Sequence, residues 1–110
     1  MRKFWAGIGV AMVLALTGAS AAAAELYVAL GDSYSSGTGT RTYFDAGCQK
    51  SVYAYPSLVD VQRPNTDLVF AACSGATTTN VLNSQVNSLT AGTNWVTITI
   101  GGNDADRDRH

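Results

Sequence analysis

Residues 26–39 read Leu-Tyr-Val-Ala-Leu-Gly-Asp-Ser-Tyr-Ser-Ser-Gly-Thr-Gly. An apolar run of this length, closed abruptly by Gly31-Asp32-Ser33, predicts a buried strand. Ser, Gly and Thr follow, so the strand opens into a polar loop, and residues 35–47 read as loop throughout. In a parallel sheet that loop lifts the Ser33 hydroxyl out at the carboxyl edge, where α/β proteins bind their ligands. Taken alone, the stretch reads equally well as an ordinary strand-to-loop turn. Two later stretches shift the balance.

Residues 67–72 (Asp-Leu-Val-Phe-Ala-Ala) predict a second buried strand, which runs into the polar loop Cys73-Ser74-Gly75-Ala76. Residues 95–100 (Trp-Val-Thr-Ile-Thr-Ile) have the strongest β propensity and end at Gly101-Gly102-Asn103-Asp104. Between the first two strands, residues 53–62 predict a helix with Pro56 near its first turn, where a missing N–H costs little. Residues 77–89 predict a single helix with Val81, Leu82, Val86 and Leu89 on one stripe and threonines to cap its start. Residues 105–110 are a charge run without a period and read as a solvated end. Strand, helix, strand, helix, strand argues a parallel sheet with right-handed crossovers. The glycines do not make a nucleotide loop. Ser36 and Gly37 stand where a Walker A loop needs Gly and Lys, and Thr42 stands where a dinucleotide fingerprint needs its third Gly.

The chain begins with Met1-Arg2-Lys3, continues through an uncharged apolar run at 4–16 and reaches small residues ending in Ala22-Ala23-Ala24. That is the three-part pattern of a secretory signal peptide, so residues 1–24 are expected to be cleaved and residues 25–110 exported. An apolar run of 13 residues falls short of the about 20 that a spanning helix needs, so no stable membrane anchor is expected. Without Arg2 and Lys3, eight acids face five bases, and no basic stripe suggests nucleic acid. Cys48 and Cys73 are the two cysteines, an even count that in an exported chain suggests a disulfide. No metal-ligand spacing is present and the sequence holds one His, so neither metal nor cofactor is expected. A parallel sheet needs cover on both faces, which 86 residues supply poorly.

Parallel strands bring their three terminal loops to one edge, although 42 residues separate Ser33 from Gly75 and 28 separate Gly75 from Asn103. The edge then holds a hydroxyl, a backbone N–H without side-chain crowding and a carboxamide donor. Acyl transfer requires such a set, a nucleophile plus donors aimed at the developing oxyanion.

On three ordered blocks the chain resembles the SGNH hydrolases, also called GDSL-type esterases and lipases. The blocks are Gly31-Asp32-Ser33-Tyr34-Ser35-Ser36-Gly37, Ala72-Cys73-Ser74-Gly75-Ala76 and Gly101-Gly102-Asn103-Asp104, with Tyr34 where many members carry Leu. The resemblance covers nearly all of residues 26–104 and is greatest to secreted actinobacterial members. It implies a flavodoxin-like three-layer α/β/α fold, here its first three strands, and hydrolysis of small-molecule or lipid carboxylic esters; a monomer is expected. It assigns Ser33 as nucleophile and Gly75 and Asn103 as oxyanion donors, and it pairs Cys48 with Cys73. Asp32 and Asp104 then read as turn-fixing acids. The family's Asp-x-x-His base has no match, because Arg107 stands three residues before His110, and Asp106 and Asp108 are at the wrong spacing. The expectation is the N-terminal part of a secreted esterase domain, inactive alone. A secreted ligand-binding module without turnover is the alternative.

Overall fold

The computed structural model describes residues 23–108, so nearly all of the leader at 1–24, as well as His110, lies outside the described residues. Strand β1 (Glu25–Gly31) is the centre of a three-stranded parallel sheet, flanked by β2 (Thr66–Phe70) and β3 (Thr93–Thr99) in the order β2-β1-β3. Leu26 to Ala29 stand opposite Asp67 to Phe70, and Tyr27 to Gly31 stand opposite Trp95 to Thr99. β1 is buried over five consecutive residues because it alone has strand neighbours on both sides. This is the parallel α/β architecture the sequence predicts.

Helix α1 is the short turn Ser33–Ser36, and α2 (Tyr55–Gln62) joins β1 to β2. Helix α3 (Thr78–Asn83) and a 3₁₀ turn at Gln85–Ser88 join β2 to β3, and α4 (Gly102–Asp108) follows β3. The chain steps to one side of β1 and then back past it to the other. Crossovers of one hand must then lie on opposite faces of the sheet. Accordingly Val81 and Val86 pack with Val28, Leu30, Val69 and Ile100 on one face. On the other face Tyr55 of α2 reaches Thr99 of β3 through their hydroxyls, 3.1 Å apart. There Tyr27 stacks on Trp95 with ring centroids 3.9 Å apart.

Three elements depart from the sequence reading. Residues 33–36 are helical, because Asp32 caps them and Gly37 ends them in the left-handed region at φ +112. The helix expected over 77–89 breaks at Ser84 (φ −136, ψ −60), where the Gln85 side chain turns inward to the sheet. Leu82 follows buried Val81 within the helix, about 100° further round its axis, and is 70% exposed, and Leu89 beyond the break is exposed as well. The charged run after residue 104 is also helical as far as Asp108, with Asp104 in its first turn, where the helix dipole favours an acid.

Candidate active site

The parallel order β2-β1-β3 sets the carboxyl ends of β1 and β3 side by side, at the sheet edge where α/β proteins bind their ligands. Ser33 follows β1 and Asn103 follows β3, so topology alone puts both at that edge.

β1 ends on Gly31 at φ +138, and a Cβ there would overlap Ser35 Oγ and the Thr99 carbonyl oxygen. Asp32 is only 2% exposed. Its Oδ1 accepts the Tyr34 N–H at 3.0 Å, and its carbonyl accepts the Ser35 and Ser36 N–H groups at 3.0 and 2.9 Å. Its own N–H donates to the Thr99 carbonyl at 3.0 Å, tying the first loop to β3. Ser33 therefore opens α1 on a fixed backbone, and its carbonyl accepts the Gly37 and Thr38 N–H groups at 3.1 and 3.2 Å. Among the described residues nothing hydrogen-bonds the Ser33 N–H or hydroxyl. Ser33 opens onto a surface pocket of about 490 Å³ walled by Tyr34, Thr38, Tyr53 and Tyr55.

The second loop is held from two directions. The Cys73 N–H donates to the Gly31 carbonyl at 3.1 Å, and the Ser74 N–H donates to the Cys48 carbonyl at 2.9 Å. The disulfide Cys48–Cys73 fixes the same corner, as the sequence led us to expect. Gly75 then turns at φ +86, exposed, with its N–H unengaged by any described residue. The third loop closes onto the second. Asn103 Nδ2 donates to the Ala76 carbonyl at 2.9 Å, leaving the second N–H of that amide group. The Asp104 carboxylate accepts the Thr78 N–H and hydroxyl, each at 3.0 Å. Asp32 Oδ1 holds the turn at Tyr34, as read from the sequence, whereas Asp104 ties the third loop to the first turn of α3.

The structure thus brings Ser33, Gly75 and Asn103 to one edge through bonds linking each pair of loops. It includes no histidine among the described residues. Sequence reading missed Gln85, a buried amide that hydrogen-bonds both backbone groups of Gly31. A polar residue four positions after Val81, on an otherwise apolar stripe, was the available signal.

Fold and loop edge together define an α/β protein with three polar loops gathered at the carboxyl edge of a parallel sheet. The chain belongs to the GDSL-like lipase/acylhydrolase family, whose profile matches residues 29–110. A lipase of Streptomyces rimosus is 49% identical over 100 residues, covering 84% of this chain and 37% of that protein. The crystal structure of the extracellular lipase from Streptomyces rimosus aligns with a TM-score of 0.72 at 47% identity, over 78% of this chain and 38% of that one. Phospholipase A1 from Streptomyces albidoflavus NA297 aligns with a TM-score of 0.71, also at 47% identity, over 79% of this chain and 38% of the other. The chain spans well under half the length of these relatives.

Proposed function

We propose that this chain carries the nucleophile and the oxyanion-binding loops of an exported serine ester hydrolase. Its substrates are carboxylic esters, lipid esters among them. Ser33 Oγ attacks the ester carbonyl carbon, and the carbonyl oxygen gains the negative charge of the tetrahedral intermediate. The Ser33 and Gly75 N–H groups and the second Asn103 Nδ2–H receive that charge. Collapse expels the alcohol and leaves an acyl-Ser33, which water then cleaves by the same route. The observation that carries the reading is the wiring of the three loops, above all Asn103 Nδ2 on the Ala76 carbonyl beside Gly75.

Serine is a poor nucleophile without a base in hydrogen-bond reach. No histidine stands among the described residues, and Asp32 and Asp104 hold Tyr34 and Thr78, so this reading takes the proton acceptor from outside residues 23–108. In serine hydrolases of another fold, loss of the His alone costs on the order of 10⁶-fold in kcat. The 110-residue chain alone is therefore nearly inactive. Export rests on the leader pattern at 1–24, the disulfide and the extracellular relative.

The test compares p-nitrophenyl acetate turnover by four proteins. They are the chain, its His110→Ala variant, a chimera extended with the C-terminal remainder of the Streptomyces rimosus lipase, and that chimera with Ser33→Ala. Sustained turnover by the first chimera only is expected. Turnover by the chain that His110→Ala abolishes would make His110 the base. A folded chimera whose Ser33 takes no acyl group would leave the non-catalytic binding module, the reading favoured by the absence of histidine among the described residues.

A further inference from the structure

Gln85 is 7% exposed, and its carboxamide makes two hydrogen bonds, both to the backbone of Gly31. Oε1 accepts the Gly31 N–H at 2.8 Å, and Nε2 donates to the Gly31 carbonyl at 2.9 Å. The local chain yields to make this contact. The helix stops at Asn83, Ser84 leaves helical geometry, and Gln85 begins a 3₁₀ turn. Gly31 is also the point where two catalytic loops meet. Its carbonyl accepts the Cys73 N–H at 3.1 Å, two residues before Gly75, and Asp32 and Ser33 follow it directly. Gly31 adopts φ +138, a conformation open to glycine, and the bidentate partner engages both of its peptide groups there.

We infer that Gln85 is a positioning residue that sets Ser33 against the Gly75 loop through the Gly31 peptide groups. This inference rests on the ester-hydrolase reading above. Gln85 touches no reacting atom. Its effect belongs in the rate of attack by Ser33 and not in substrate affinity, because displacement of a nucleophile by about 1 Å can cost on the order of 10²-fold.

The test uses Gln85→Met, which keeps the volume and removes both hydrogen bonds, and Gln85→Glu, which keeps the acceptor and removes the donor. In the chimera, each variant is reacted with a fluorophosphonate: the Ser33 Oγ–P bond forms, fluoride leaves, and the hydroxyl proton passes to the buffer. The labelling amplitude counts folded sites and the rate constant reads positioning. Gln85→Met should label to full amplitude at least tenfold more slowly, with kcat for p-nitrophenyl acetate reduced alike and KM within twofold. On the 110-residue chain, the Gly31 amide should exchange at least tenfold faster in Gln85→Met while the Leu30 amide is unchanged. Equal rate constants for both variants and wild type overturn the inference, and so does a rate loss matched entirely by lost amplitude. An unlabelled wild-type chimera refutes the ester-hydrolase reading instead, and the Gly31 exchange then decides whether the clasp holds the peptide. Unchanged exchange rejects it.

Discussion

Asn103 has a carboxamide divided between two duties. One N–H is spent on the Ala76 carbonyl at 2.9 Å, and the other is the donor that the proposed mechanism offers to the oxyanion. Asn103→Ala in the chimera should lower kcat on the order of 10²–10³-fold, as for one oxyanion donor, with a small change in KM. Unchanged kcat would remove Asn103 from the site. Tyr27 is a second single residue with a measurable signature. Burial pushes its phenol above its ordinary value near 10, the hydrogen bond with Thr97 opposes this, and the neighbouring Tyr55 and Asp60 add to it. The folded-state value thus exceeds the unfolded one, and the unfolded chain releases this proton first as pH rises. The stabilising contribution is complete below about pH 10 and is lost as pH climbs through the folded value. Tyr27→Phe should flatten the alkaline fall in stability, read from urea midpoints across pH 9–12 as roughly one proton fewer.

Helix α3 has only six residues and depends on its ends. Thr77 accepts the Asn80 N–H at 3.3 Å while Asn80 Oδ1 accepts the Thr77 N–H at 2.8 Å, a reciprocal cap. The next free donor, the Thr78 N–H, goes to Asp104 from α4. Thr77→Ala should therefore cost about 1 kcal/mol in urea unfolding, and a change under a few tenths would show the cap to be idle. The cap is legible in the sequence because its donors and acceptors lie within one turn. Likewise, the three strands are legible because each is an apolar run ended by Gly, Ser or Asn, and the parallel order then fixes where Ser33, Gly75 and Asn103 go. The helix break at Ser84 is not legible in that way. Its cause is Gln85 bonding Gly31, 54 residues away, and no local period carries that information. Nor could alternation decide which side of β3 is covered. Val96 and Ile98, apolar and suited to burial, are 43% and 50% exposed, because only α3 and one 3₁₀ turn cover their face.

At the scale of the molecule, a three-stranded parallel sheet covered by short helices has a small core, with Val28, Leu30 and Val81 its buried centre. With so small a core, a covalent tie carries unusual weight. The Cys48–Cys73 bridge closes 25 residues of chain that contain all of α2 and β2. In the chain-entropy account a loop of that length contributes roughly 3–4 kcal/mol, a large share of a typical total of about 5–15 kcal/mol. The same bridge fixes the corner at which Ser74 donates to the Cys48 carbonyl and Gly75 turns at φ +86. Stability and site geometry therefore depend on one bond. The double substitution Cys48→Ser with Cys73→Ser should lower the unfolding free energy by about 3 kcal/mol, and reducing the wild-type protein should match it. Thiol titration of the unreduced, exported protein should find no reactive cysteine, and two would sink the prediction. A double variant that keeps wild-type stability but labels Ser33 more slowly in the chimera would assign the bridge to the Gly75 corner alone. Loss of both together is the result expected when the closed loop also supplies one wall of the site.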